Sequence, residues 1–419
     1  MADLSEPKSG RRELSRRGLL GPEEGGWSLA PVGAWIMIEG RHLSDPKALL
    51  DALCTRLNAA GAGIDRLGFV VRTIHPQVAA WGCYWSKKNG TGIFTGRHGT
   101  QNDDAYIGSP VQFVYENHRP YRRRLDALEA ERDPAITLDL KADGMTDYYA
   151  MPLYLGSGEI NFMTVSTARP EGFGDDDLER FDALANLVAP LIETIHTRRM
   201  TLGLLDAFVG PRIGERIMNG QVKRGDGDRI EAAFWYSDLR GFTALSESLP
   251  AEQLLSLLND YFENCAAAAA ARGGEILQFI GDAILIVFEI RDRAQEAKVC
   301  NDALDAAIDA IDAMAVTNHR RKRAGYAQIE FGLGLHLGEV THANVGAPGR
   351  LAFNVIGPAV NKTARIQGLT KEAGVPLLLS REFASHIQRP LRPVGTFDLR
   401  GVAGSHEVFT PAPAAEKER

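Results

Sequence analysis

The stretch Phe234-Trp235-Tyr236-Ser237-Asp238-Leu239-Arg240-Gly241-Phe242-Thr243 decides how this chain is read. An apolar run with strand character, Ile230 to Tyr236, leads to a carboxylate and then a glycine, which places Asp238 at a strand end and not inside a core. Gln278-Phe279-Ile280-Gly281-Asp282-Ala283-Ile284-Leu285 repeats the device, with Asp282 in a turn between two apolar strands. Two strand-end aspartates suit a divalent cation. A third segment, Val355-Ile356-Gly357-Pro358-Ala359-Val360-Asn361-Lys362-Thr363-Ala364-Arg365-Ile366, sets Asn361 and Arg365 four residues apart on one helix face. Metal ligands, an amide and an arginine together point to phosphoryl chemistry.

The pattern around these segments is a strand at 230–236, a helix at 251–271, a hairpin at 275–288, a helix at 292–315, a strand at 328–337, a glycine-containing hairpin and the Asn361 helix. That βαββαβ order predicts an α+β, ferredoxin-like sandwich, and 210–410 is long enough for its own core. The remainder forms a second domain. Leu49, Leu50, Leu53 and Leu57 recur at helical spacing, 66–73 reads as a strand, and 150–155 and 160–166 flank the turn Gly156-Ser157-Gly158. Phe173-Gly174-Asp175-Asp176-Asp177 then caps a long helix starting near Leu178, its acidic first turn matching the positive helix end. Helix, strands, hairpin, Phe-x-x-x-Asp and closing helix resemble a GAF-type sensory domain over about residues 30 to 195. The expected limits are a mobile tail at 1–28, the GAF-like α/β domain at 29–175, a helical dimer connector at 176–209, the catalytic domain at 210–410 and a second tail at 411–419.

The connector rests on Phe181, Leu184, Val188, Leu191, Ile195, Leu202, Leu205 and Val209, whose alternating spacing predicts a two-helix seam between parallel copies, with a helix packed on its own domain as the alternative. Pro190 lies inside the pattern and predicts a kink or break. Composition is that of a globular protein, with 44% hydrophobic and 24% charged residues in 419, and a net charge of −7 gives no reason to expect nucleic acid. Cys54, Cys83, Cys265 and Cys300 show neither zinc spacing nor disulfide density, which fits thiols in a reducing cytoplasm. No apolar run reaches the roughly 18 to 20 residues a membrane helix needs.

Residues 210–408 resemble the catalytic domain of class III nucleotidyl cyclases, the adenylate and guanylate cyclase family. The resemblance is carried in order by Ser237-Asp238-Leu239-Arg240-Gly241-Phe242-Thr243, Phe279-Ile280-Gly281-Asp282, Gly334-Leu335-His336-Leu337-Gly338-Glu339-Val340, Val355-Ile356-Gly357 and Val360-Asn361-x-x-Ala364-Arg365. It implies that Asp238 and Asp282, with the Leu239 carbonyl, hold two Mg2+ or Mn2+ ions. It further implies that Arg365 stabilises charge on the α-phosphoryl group and that Asn361 orients the ribose, both acting on the aspartates of an opposite subunit in a head-to-tail homodimer. Arg400, where the family usually has lysine, grips the terminal phosphates, and Phe242 and Thr243 belong to the substrate contacts. At the base-reading positions stand Gln278 and Asn354, two amides in place of the family's charged discriminators.

The activity so implied is an adenylate cyclase, turning ATP into 3′,5′-cyclic AMP and pyrophosphate under the control of a small-molecule or protein signal at the GAF-like domain. Guanylate, dual-specificity or pyrimidine cyclase activity stays open, as does a non-catalytic nucleotide-binding module, against which the intact Asp238, Asp282, Asn361, Arg365 and Arg400 argue. His75, His98 and His118 read as structural, Trp81-Gly82-Cys83-Tyr84-Trp85 as core packing, and His319-Arg320-Arg321-Lys322-Arg323 as a solvated loop. Lys362 and His336 stand next to the active elements without an assigned role.

Overall fold

The computed structural model describes residues 26–100, 106–129, 133–156, 158–223, 225, 227–347 and 349–412. Most of the expected N-terminal tail, Ser157 in the expected turn, and 413–419 of the C-terminal tail lie outside them. The chain divides into two compact units, 1–207 and 208–419.

In the first unit Asp45 caps helix α2 (Pro46–Ala59), its carboxylate accepting from Lys47 N and Ala48 N, with α1 (Ala30–Ile38) ahead of it. Strands β1 (Arg66–Arg72), β2 (Val78–Ser86), β3 (Gly90–Arg97), β4 (Tyr121–Arg124), β5 (Asp147–Tyr154) and β6 (Ile160–Thr167) form one antiparallel sheet in the order β3-β2-β1-β6-β5-β4. Alternation on β1 turns Leu67, Phe69 and Val71 into a core shared with Leu49, Leu50, Leu53 and Leu57 of α2. On the other sheet face Tyr148, Ala150 and Phe162 pack with Val114 of α3 (Pro110–Asn117) and Leu140 of α4 (Ala135–Ala142).

Helix α5 (Asp175–Val209) begins earlier than its apolar pattern suggests, the three aspartates forming its first turn. It runs on through Pro190. That residue is exposed, as is Asn186, so the carbonyl that loses its partner to proline faces water, while Leu184, Val188 and Ile192 on the inner side are buried. The expected dimer seam is corrected in the same way: Phe181, Leu184, Val188 and Ile195 belong to the unit's own core, and Leu191 packs against it. Only Leu202, Leu205 and Val209 remain outside that core. The tail boundary also moves, because Trp27 is buried and its Nε1 donates to Asp177 at 2.7 Å. The Trp81 and Cys83 side chains are buried, and burial pushes the Cys83 thiol up to about 12. His118 closes α3 in the left-handed region at φ 54°.

The second unit contains α6 (Pro211–Met218), β7 (Gly227–Leu239), α7 (Phe242–Ser248), α8 (Ala251–Ala270), β8 (Glu275–Ile280), β9 (Ala283–Glu289), α9 (Glu296–Arg323), β10 (Phe331–Ala347), β11 (Arg350–Ile356), α10 (Pro358–Glu372), β12 (Leu377–Ser380), α11 (Arg381–Ala384), β13 (Leu391–Asp398) and β14 (Ser405–Pro411). The sheet order is β13-β14-β12-β10-β7-β9-β8, with β11 paired to β10. Its antiparallel part β10-β7-β9-β8, crossed by α8 and α9, is the expected ferredoxin-like arrangement. Ala233, Trp235 and Leu239 of β7 face α8 and α9 with Leu333, Leu335 and Leu337 of β10. The alternate residues Ile230, Ala232, Phe234 and Tyr236 face the other way, beside Ala359 of α10.

Three expectations fail here. The run His319–Arg323 is not a loop but the last turn of α9, where basic residues suit the negative helix end, and Arg321 is buried, pairing with Asp260 and donating to Ala327 O at 2.7 Å. The helix also starts at Glu296, since Asp292 instead caps a short 3-10 turn by accepting from Ala294 N at 3.0 Å. At the C-terminus, Pro411 is part of β14, not of a tail.

Candidate active site

Asp238 stands near the end of the central strand β7, paired with Gly332 of β10. Asp282 lies in the two-residue turn that joins β8 to β9, where Ile280 pairs with Ala283 and Gly281 takes φ 65°. Glycine first in such a loop is what a tight hairpin needs. Because Ser237 pairs with Ile284, the turn carrying Asp282 comes up beside the end of β7. Burial, then a hydrogen bond that the protonated carboxyl donates to Asp282 and the charge of Asp282, push the Asp238 carboxyl up to about 7. Asp238 Oδ1 is buried without a hydrogen-bond partner. Two carboxyls forced together, with an oxygen left unsatisfied, form a place that lacks a positive charge.

These residues fit divalent cations. Among the described residues no third aspartate, glutamate, histidine or cysteine joins them. Further ligands must therefore be oxygens of the backbone, such as the Leu239 carbonyl, of water or of phosphate.

The scaffold behind Asp238 was not legible as function. Ser237 is fully buried and its Oγ accepts from Tyr261 OH at 2.8 Å and Trp235 Nε1 at 3.0 Å, which fixes the strand end from the helix side. Strand alternation, which turns Ser237 inward, was the available signal. Arg240 Nη2 donates to Thr370 O at 3.3 Å and Val375 O at 3.1 Å, satisfying carbonyls at the C-terminal end of α10. Phe242 is directed partly into the core with α8 and α9, so only its backbone is offered at the start of α7, beside an exposed Thr243.

Helix α10 lies on glycine. A Cβ at Gly334 would stand 2.7 Å from Gln367 N and 2.8 Å from Thr363 O, and one at Gly338 would stand 2.7 Å from Ala359 Cβ. Glycine at these positions lets the helix backbone reach the strand. Asn361 and Arg365 are exposed, away from the buried face of Ala359, Thr363, Ile366 and Thr370. Thr370 lies over Gly332, whereas Asn361 lies between the residues over Gly334 and Gly338. Asn361 is therefore displaced from Asp238 by roughly 13 Å along the strand, at about 3.3 Å per residue. By that measure one chain holds its own Asn361 away from its Asp238.

Gln278 is exposed on the edge strand β8, and Asn354 on β11 stands opposite Ala343, its Oδ1 accepting from Val355 N at 2.9 Å. No hydrogen bond or strand pairing joins the two among the described residues. Arg400 is exposed in the turn between β13 and β14. His336 is buried on β10, its Nδ1 2.8 Å from Ser380 Oγ, and burial followed by the nearby Lys362 charge pushes its pKa down to about 4.

Residues 228–401 match the family model for the adenylate and guanylate cyclase catalytic domain. An adenylate cyclase of Anabaena cylindrica is 33% identical over 177 residues, covering 41% of this chain and 33% of its own. Adenylate cyclase 1 of Rhizobium meliloti (strain 1021) is 26% identical over 185 residues, 43% of this chain and 27% of its own. The chain thus spans about a third or less of the length of these curated relatives. Among solved structures, the adenylyl cyclase CyaB from P. aeruginosa is 27% identical with a TM-score of 0.41, covering 45% of this chain and 97% of that one. The guanylyl cyclase Cya2 is 29% identical with a TM-score of 0.40, covering 46% and 97%.

Proposed function

The C-terminal unit carries a catalytic domain of the adenylate and guanylate cyclase family, and on that footing we propose that the chain is an adenylate cyclase. It converts ATP to 3′,5′-cyclic AMP and pyrophosphate at sites shared between two copies. The observation that carries this reading is the carboxyl pair Asp238 and Asp282 with an unsatisfied buried oxygen, set apart along the strand from the exposed Asn361 of its own chain. A second copy, placed head to tail, would supply to each aspartate pair the amide and guanidinium that its own chain holds elsewhere.

Asp238 and Asp282, with the Leu239 carbonyl, would hold two Mg2+ or Mn2+ ions, which when bound acidify the ribose 3′-hydroxyl and carry the charge of the triphosphate and leaving pyrophosphate. The chain's own groups do the rest. Asn361 of one copy orients the ribose through its amide, and Arg365 places a fixed fork of donors against charge growing on the α-phosphoryl oxygens. Backbone N–H groups at Phe242 and Thr243 and the charge of Arg400 take the outer phosphates. Gln278 and Asn354 face the base; each amide both donates and accepts, which favours no purine strongly. The names of the two curated relatives support ATP.

The first unit acts as a GAF-like sensor for a small-molecule or protein signal, passed on along α5. No described helix is long and apolar enough to cross a membrane, and four buried free cysteines support a cytoplasmic setting. Incubating the full chain with each of the four ribonucleoside triphosphates and Mn2+, then separating products by mass spectrometry, tests the reading. Cyclic AMP from ATP, lost in Asp282→Ala, is the expected result. A folded dimer that forms no cyclic nucleotide from any of the four overturns it.

A further inference from the structure

Helix α10 lies on glycine at Gly334 and Gly338; Ile366 and Leu369 of its C-terminal half pack with Leu378, Leu399 and Val408, and the smaller Ala359 and Val360 of its N-terminal half pack with Ile230, Ala232 and Phe234. At its C-terminal half α10 is held by Arg240 on Thr370 O and Val375 O and by Gln367 Nε2, which donates to Gly332 O at 3.3 Å. At its N-terminal half, beside Asn361, the side-chain hydrogen bond to another element among the described residues is that of Lys362, whose Nζ donates to Glu382 Oε1 at 2.6 Å. Lys362 is 13% exposed although its neighbours Asn361 and Arg365 are exposed. Glu382 is itself fixed. It lies in the first turn of α11, which Ser380 caps by accepting from Phe383 N at 3.2 Å, and its second oxygen is 3.7 Å from His336 Nδ1. The chain β10 (His336), β12 (Ser380), α11 (Glu382) thus leads from the sheet to the turn of α10 that bears the proposed catalytic pair.

We propose that Lys362, through Glu382, is a positioning residue that sets the rotation of α10 and so aims Asn361 and Arg365 at the site of the partner copy. The inference rests on the cyclase reading given above. Lys362 and Arg365 are three residues apart, neighbours on the helix surface, so a turn of the helix that frees Lys362 moves the guanidinium with it. Misplacing a reacting or stabilising group by about 1 Å can cost on the order of a hundredfold in rate. A partly buried ion pair is a poor source of stability, since desolvation offsets much of its attraction, which favours an orienting role over a stabilising one.

Lys362→Met, which keeps the aliphatic stem, and Glu382→Gln are each expected to lower kcat by roughly ten- to a hundredfold, with KM changed less than about threefold. Melting temperature and dimer content are expected to stay near those of the parent. Lys362→Glu combined with Glu382→Lys is expected to regain about tenfold over either single reversal. Parent-like kcat in both Lys362→Met and Glu382→Gln, or a reversed pair no better than its singles, overturns the proposal. A mixed-copy assay locates the defect: Lys362→Met mixed with Asp238→Ala should recover activity, and mixed with Arg365→Ala it should not. Recovery in both mixtures overturns the assignment of Lys362 to the Arg365 half-site. Should even the control mixture of Asp238→Ala with Arg365→Ala recover nothing, the shared-site reading fails, and the kcat and charge-reversal results still decide the role of Lys362.

Discussion

Replacing Asp238 by Asn is expected to make the metal-free protein more stable above neutral pH. The Asp238 carboxyl is pushed from its ordinary 3.8 to about 7, by burial first and then by Asp282. A carboxyl raised in the folded state binds a proton there that the unfolded chain has released. Stability is therefore lost as pH rises from about 4 to 7, and the full loss stands above 7. The rise is about three pH units, at 1.36 kcal/mol each, or about 4 kcal/mol. Asp238 is only half-buried, so solvent screening reduces this to about 2 kcal/mol. For a unit of the size of 208–419, that corresponds to roughly 4–8 °C in melting temperature. Thermal unfolding in a chelator, followed from pH 4 to 8.5, is the assay. Asp238→Asn and the parent should converge near pH 4 and diverge toward pH 8, with the variant melting higher; Mn2+ should then stabilise the parent much more than the variant. Equal melting temperatures across that range, or a less stable variant at pH 8, would refute the reasoning that two uncompensated carboxyls share this site.

Gly334→Ala is expected to destabilise the catalytic unit by about 1–3 kcal/mol and to lower turnover, because the new Cβ meets backbone of α10 and not a yielding side chain; urea unfolding measures the first and steady-state rate the second, and an unperturbed variant contradicts the seat described for α10. Gln278→Lys with Asn354→Asp should raise the ATP/GTP ratio of kcat/KM by roughly tenfold, since a lysine donor suits adenine N1 and an aspartate accepts from N6. An active double variant with an unchanged ratio removes those positions from base reading.

How much was legible in the sequence depended on whether a signal was local. The strand that ends at Asp238, the Gly281-Asp282 turn and the Asn361–Arg365 face were readable because alternation, a glycine turn and helical spacing each operate over a few residues. Where packing decides, the reading failed. The apolar stripe of α5 looks the same whether it faces a second helix or its own sheet, and only the fold shows Phe181, Leu184 and Val188 buried against β-strands. Pro190 could stay in a helix because its lost bond falls on the water side. Arg321 looked like one charge in a solvated run until Asp260 and the Ala327 carbonyl closed around it. Lys362 and His336 could be given no role from the sequence, since their partners Glu382 and Ser380 come from elements far along the chain.

The claim that two copies share each site is tested most directly by mixing inactive Asp238→Ala with inactive Arg365→Ala under conditions that exchange subunits. At equal amounts about half the dimers are mixed and each holds one complete site of two, so roughly a quarter of parental activity should return. If mixed dimers are verified and activity stays at the level of the separate variants, Asp238 and Arg365 do not serve one site from two chains.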